Sequence, residues 1–154
     1  MDKKRISPNG IKLINEKINQ LNEERLTVVE RLDEARKLGD LRENAQYAEA
    51  RDRLVQIDKE LESLNSTILE SIVISEVEKK DYVDFGATIE IESLSDNRVN
   101  KYKIVGDFES DIEKGLISEE SPLVQAMLNK KVNDVFQLTT EISDKSFKIL
   151  SIEY

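Results

Sequence analysis

The stretch KLGDLRENAQYAEARDR, residues 37–53, decides how the chain is organised. It lies between two long segments of helical periodicity and carries a single glycine, Gly39, followed at once by Asp40. Glycine suits the left-handed position that ends a helix. Aspartate suits the cap that starts the next one. The pair therefore predicts a reversal, the tip of a helical hairpin. Asp40 and Glu43 have the spacing of a capping box, Asp40 as N-cap and Glu43 three residues on, and both acids favour the positive end of a helix dipole. Yet Arg36, Arg42, Arg51 and Arg53 crowd around them. One reading is that the turn needs capping; the other is that a charged tip is delivered into another molecule's reaction centre.

Outward from the tip, the apolar positions fall into a seam. Ile11, Ile14, Ile18, Leu21, Val28, Leu32 and Ala35 recur at spacings of three and four, interrupted only by Arg25. The return arm repeats the pattern through Tyr47, Ala50, Leu54, Ile57, Leu61, Leu64 and Ile68. Such sustained spacing with charges between is the signature of coiled-coil packing. Helix begins just after the turn formers of ISPNG, and each arm spans roughly 45 Å at 1.5 Å per residue. Arms of matched length meeting at Gly39-Asp40 favour an antiparallel intramolecular hairpin over a parallel dimer, and so a monomer.

Near residue 75 the period changes. GATIEIES (86–93) and NKYKIVG (100–106) alternate as strands about the turn SLSDNR, and DVFQLTT (134–140) with KSFKILSIEY (145–154) form a second pair. Between the pairs, Ser121 caps a short helix with Pro122 at its first position. The expected fold class is α+β. Residues 1–75 form the helical coiled-coil hairpin, 76–84 a linker, and 85–154 a small antiparallel-sheet domain with one short helix.

Composition narrows the chemistry. The chain of 154 residues has no cysteine and no histidine, which removes disulfides, thiolate or imidazole metal sites, and nucleophile–histidine schemes. Any acid–base or metal chemistry must rest on carboxylates, Lys, Arg or Tyr. The net charge of −9 argues against general binding along a nucleic-acid backbone. Most of that charge lies in the second half, −7 for residues 76–154 against −2 for residues 1–75. No apolar run approaches a membrane span, and the opening MDKKRISPNG lacks a secretory signal, so a soluble cytoplasmic protein is expected.

Carboxylates at the tip could hold a hard divalent ion and orient a water, with arginines meeting phosphates. Two carboxylates alone are a poor Mg²⁺ site, so a partner would have to complete it. Here EARKLGDLRENAQYAEAR resembles the tip motif of the bacterial transcript-cleavage factors of the GreA/GreB family, nearer the GreA side. The resemblance continues through FGATIEIES, YKIVGDFESDIEKGLISEESPLVQAML and the closing IEY, and so runs nearly the length of the chain. It implies an FKBP-like second domain that docks on RNA polymerase, near Ser118, Ser121 and Pro122, while the hairpin enters the secondary channel. It implies that Asp40 and Glu43 act as the catalytic tip carboxylates, sharing a Mg²⁺ with the polymerase, which itself hydrolyses the backtracked RNA. Arg36, Arg51 and Tyr47 match positions facing the RNA 3′ end. Gln46 replaces an acid common in this motif. The factor would be a catalytic accessory, not an enzyme in its own right.

Blander readings stand beside these. Arg36 and Arg51 could pair with acids on exposed helix faces, Tyr47 could pack across the hairpin, and Arg42 and Arg53 read as solvated charges. SEESP is first of all a helix start. Two other functions fit the same outline: a related inhibitor that blocks the channel, and a hairpin chaperone. The chaperone would need an apolar tip, and this one is charged.

Overall fold

The structure is a computed structural model, and it describes residues 3–40 and 44–154. Two units emerge from the chain. One comprises Ile11–Ser71, the other Met1–Gly10 together with Ile72–Tyr154. The first ten residues thus belong with the sheet, where the sequence reading had placed residues 1–75 in the hairpin.

The helical unit is built from α1 (Pro8–Lys37) and α2 (Ala45–Leu69). Helix α1 starts earlier than expected. Pro8 occupies its first position, where a missing N–H costs nothing, and the Ser7 hydroxyl accepts a bond from the Gly10 N–H at 3.1 Å. The predicted seam is the observed one. Leu21, Val28, Ala50 and Ile57 are buried together, with Leu32, Leu54, Leu61 and Leu64 packed against them. Arg25, the interruption in the seam, is turned to use: its Nε donates to Asp58 on the opposite helix at 2.8 Å. Next to it the polarity is reversed, with Arg53 of α2 gripping both carboxylate oxygens of Glu24 on α1 at 2.5 and 2.6 Å. The guanidinium holds the Glu24 carboxyl below its ordinary value. Arg53 is therefore not the solvated charge the sequence suggested. A shift of one arm along the other would separate both pairs, so they select the antiparallel register.

The sheet unit contains β3 (Thr88–Ser93), β4 (Val99–Val105), β5 (Leu116–Ser118), β6 (Val135–Thr139) and β7 (Asp144–Glu153), in the order β5-β4-β3-β7-β6. Both expected hairpins are present, β3 with β4 and β6 with β7. Strand β5 was not anticipated, and it runs parallel to β4, so the sheet is not wholly antiparallel. Alternation along β3 sends Ile89 and Ile91 inward, to a core with Val83, Phe85, Ile104, Val124, Met127, Phe136 and Ile149. The short helix α3 (Pro122–Met127) is capped as predicted, the Ser121 hydroxyl accepting from the Val124 N–H at 3.3 Å.

A separate two-stranded sheet joins β1 (Lys4–Ile6) to β2 (Ser71–Val73). Arg5 on β1 explains why the chain start belongs here. Its Nη1 lies 2.8 Å from Asp84, its Nε and Nη2 reach one oxygen of Glu119 at 2.8 and 2.7 Å, and the guanidinium stacks over the Phe85 ring. Lys80 also bonds Asp84, and the Phe85 N–H donates to it at 2.8 Å. Nearby, the buried Glu109 carboxylate accepts from both the N–H and the hydroxyl of Ser7, at 3.0 and 2.6 Å. A Cβ on Gly10 would stand 2.2 Å from that carboxylate, so any larger residue would have to displace it from Ser7.

Burial pushes the Asp84 carboxyl up, but the bonds from Lys80, the Phe85 N–H and Arg5 outweigh it and leave the group below its ordinary value. A carboxyl depressed in the folded state contributes stability that is present above its unfolded pKa and lost as pH falls through the folded one. Asp84→Asn should therefore cost about 2–3 kcal/mol at neutral pH, somewhat under the ~3–5 kcal/mol for breaking a fully buried pair. Its cost should shrink on acidification below the ordinary carboxylate pKa. Urea melts of both proteins from pH 7 to pH 3 check this; a gap that stays constant or widens would refute it.

Candidate functional site

The hairpin tip is assembled from the last turn of α1, the reversal, and the first turn of α2. Helix α1 closes with the Leu38 N–H donating to the Ala35 carbonyl at 3.1 Å. Gly39 then adopts a φ of +129°, a backbone conformation that residues with a Cβ rarely take. Asp40 follows, exposed to solvent. Glu43, with Leu41 and Arg42, lies outside the described residues, so its predicted place beside Asp40 has no structural account.

The cap of α2 is not Asp40. It is Asn44, whose Oδ1 accepts from the Tyr47 N–H at 3.1 Å, with Ala45 as the first helical residue. The N-cap thus lies four residues later than Asp40, the expected position, and α2 is 25 residues long against 30 for α1. Asn44 does more than cap. Its Nδ2 donates to the Ala35 carbonyl at 2.6 Å, tying the start of one helix to the end of the other. An asparagine in N-A-Q-Y was a legible cap, since Asn ranks with Asp there; the earlier D-x-x-E spacing masked it.

Asp40 and Asn44 line one open depression of about 450 Å³ with Leu38, Ala45 and Gln46. Next to it, a groove of about 340 Å³ runs between the helices over Val28, Ala35 and Ala50, where small side chains leave space. Of the basic residues expected to face RNA, Arg36 is exposed and makes no ion pair among the described residues. Arg51 approaches only its chain neighbour Asp52, at 3.6 Å, with both side chains mostly in solvent. Tyr47 is half-buried. Among the described residues no group of three or more carboxylates is placed to hold a metal.

The segment predicted to dock lies in the sheet unit. The Ser118 hydroxyl donates to Asp107 and accepts from the Glu120 N–H at 3.1 Å. The Asp107 and Glu120 carboxyls also meet: their hydrogen bond raises the pKa of Glu120 and lowers that of Asp107, which accepts from Ser118 as well. Lys4 stands 3.7 and 3.5 Å from the two. The Ser121 hydroxyl is taken by its cap, while Pro122 is exposed. Sequence reasoning missed this acid pair because its members are thirteen residues apart.

A charged-tip helical hairpin joined to a small five-stranded sheet unit with one capped helix defines a two-unit hairpin factor. Comparison with known proteins gives it a family. "Transcription elongation factor, N-terminal" matches residues 4–73, and "Transcription elongation factor, GreA/GreB, C-term" matches residues 78–154. The transcription elongation factor GreA of Aliarcobacter butzleri is 39% identical over 132 residues, 85% of this chain and 82% of that protein. GreA of Jannaschia sp. is 34% identical over 155 residues, 100% of this chain and 99% of its own. Among solved structures, GreA factor homolog 1 (Gfh1) of Thermus thermophilus aligns over 99% of each chain at 18% identity, with a TM-score of 0.46. The chain belongs to the GreA/GreB family of transcription elongation factors. No helix among the described residues is long and apolar enough to cross a membrane.

With Asn44 as the cap, Asp40→Ala should cost clearly less stability than removal of the cap itself. Asn44→Ala should cost about 1 kcal/mol or more, as loss of a cap does. Thermal melts followed by circular dichroism distinguish the two; an Asp40→Ala loss as large as that of Asn44→Ala would return Asp40 to the capping role.

Proposed function

We propose that the chain rescues arrested transcription by stimulating the RNA-cleaving activity of RNA polymerase, acting as an accessory with no hydrolytic activity alone. The sheet unit docks on the polymerase through the segment containing Ser118, Ser121 and Pro122, with Pro122 the exposed contact. The hairpin carries its tip through the secondary channel to the backtracked RNA 3′ end. Supporting this reading is the tip's exposed Asp40 carboxylate, set in an open depression at a helix end that another residue caps.

Asp40 supplies a hard oxygen donor, the kind Mg²⁺ takes. One or two tip carboxylates do not make a complete octahedral site, so the fit is to an ion shared with the polymerase, Asp40 and Glu43 providing this chain's part. Such an ion lowers the pKa of a coordinated water and stabilises charge on a transferring phosphate. The work of this chain's residues is binding and placement. Asp40 and Glu43 also accept hydrogen bonds from the attacking water, and Arg36 and Arg51 offer exposed guanidinium groups to RNA phosphates. Tyr47, half-buried one turn into α2, borders the RNA.

The test is a backtracked elongation complex with labelled RNA. Wild-type protein should speed release of a short 3′ fragment. Asp40→Asn and Glu43→Gln should compete for polymerase as well as wild type while losing at least tenfold of the stimulation, and raised Mg²⁺ should restore part of it. Binding that slows both cleavage and elongation would mean an inhibitor acting through the same channel. Near wild-type cleavage by both variants would remove the tip acids from the mechanism.

A further inference from the structure

We propose that Asn9 is a site of spontaneous deamidation, a covalent modification held dormant by the Ser7 hydroxyl at the start of α1. Of the asparagines in the chain, only Asn9 is followed by glycine. That pairing matters chemically. Glycine has no Cβ to shield its backbone nitrogen. Once the Gly10 nitrogen gives up its proton to a solvent base, it can attack the side-chain carboxamide carbon of Asn9. The new C–N bond closes a cyclic succinimide, and the carboxamide nitrogen leaves as ammonia. Water then opens the ring at either carbonyl, giving aspartate or isoaspartate, with no oxidant or cofactor required.

The fold favours glycine at this position and then restrains it. A Cβ there would stand 2.2 Å from the Glu109 carboxylate and 2.5 Å from the Ile6 side chain. Asn9 itself is exposed, open to water and base. Both residues lie in the first turn of α1, where helical dihedrals hold the Gly10 nitrogen away from the Asn9 side-chain carbon. The first N–H groups of a helix have no partner within it. That of Gly10 has one outside, the Ser7 hydroxyl at 3.1 Å, which in turn donates to Glu109 at 2.6 Å. Glu109 is buried and also accepts from the Ser7 N–H at 3.0 Å. Attack therefore requires the Gly10 N–H to leave Ser7 and Asn9 to leave the helix, a local opening. The two products differ in consequence. Aspartate adds a negative charge to a first turn that has no acid, where the helix dipole favours one. Isoaspartate routes the backbone through the former side chain, adding a carbon before Gly10 and misplacing the N–H that Ser7 holds.

The experiment incubates the full chain at alkaline pH, folded in buffer and unfolded in guanidinium chloride. Peptide mass spectrometry follows each asparagine, and an isoaspartate-specific methyltransferase marks the rearranged product. In the unfolded chain Asn9 should convert fastest of all the asparagines; folding should slow it at least tenfold. Ser7→Ala should raise the folded rate roughly fivefold, the factor that one net hydrogen bond sets. Asn65, followed by Ser66 within α2, should keep its rate in that variant. Amide exchange on the wild-type chain gives a measure that needs no variant: the Gly10 N–H should be protected, and deamidation slowed by at least the same factor. Protein carrying isoaspartate should melt below wild type, and Asn9→Asp at or above it. Conversion of Asn9 no faster than its fellows in the unfolded chain overturns the site. Equal rates in folded and unfolded chains, an unprotected Gly10 N–H, or a Ser7→Ala rate equal to wild type overturns the hold by Ser7. So does a variant that speeds Asn65 as much as Asn9, since the effect would then be general loosening.

Discussion

The guanidinium of Arg5 carries the constraint that makes the start of the chain part of the sheet unit. It spans two carboxylates from distant parts of the sequence, Asp84 and Glu119, and rests on the Phe85 ring. Arginine's planar fork, with donors in fixed directions and a flat face, can bond both acids while stacking on the ring. Because β1 is held there and pairs with β2, the chain leaves for the helical unit and returns from it through paired strands of one small sheet. The Ser7–Glu109 contact and the room that Gly10 makes for it add to the same hold within the sheet unit. An excursion of sixty residues thus begins and ends on defined structure.

Within the helical unit, apolar burial and charge do different jobs. The seam around Leu21, Val28, Ala50 and Ile57 supplies the driving force of association, but a repeating seam tolerates slippage along itself. The Arg25–Asp58 and Arg53–Glu24 pairs have opposite polarity across the interface, so a shifted register would lose both attractions. Exposed ion pairs contribute little net stability; their value here is in selecting one register from several. That register in turn determines which residues of the two arms end together at the tip.

Much of this was legible from residue spacing. The hairpin, the seam, the four longer strands and the Ser121 cap all follow from period and punctuation, because each is a local pattern repeated over several residues. What escaped was short or distant. Strands β1, β2 and β5 have three residues apiece, too few to display alternation. Arg5 binds partners 79 and 114 positions away, and nothing in the local sequence announces a partner at that range. At the tip, two competent cap residues stood four apart, and the D-x-x-E spacing favoured Asp40. The structure chooses Asn44, whose amide also bonds to Ala35. Satisfying a carbonyl on the opposite helix is a tertiary criterion that local capping preferences do not contain.

The division among the arginines separates framework from surface more sharply than any motif does. Arg5, Arg25 and Arg53 each meet an acid from another element at 2.8 Å or less. Arg36 and Arg51, flanking the tip, have no such commitment among the described residues; the one contact of Arg51 is with its own neighbour at 3.6 Å. A guanidinium that pairs internally must break those bonds before it can meet a phosphate, whereas one in water exchanges only hydration. In a chain of net charge −9, with acids to spare for pairing, leaving Arg36 and Arg51 to water costs the fold little, since exposed pairs would have added little stability.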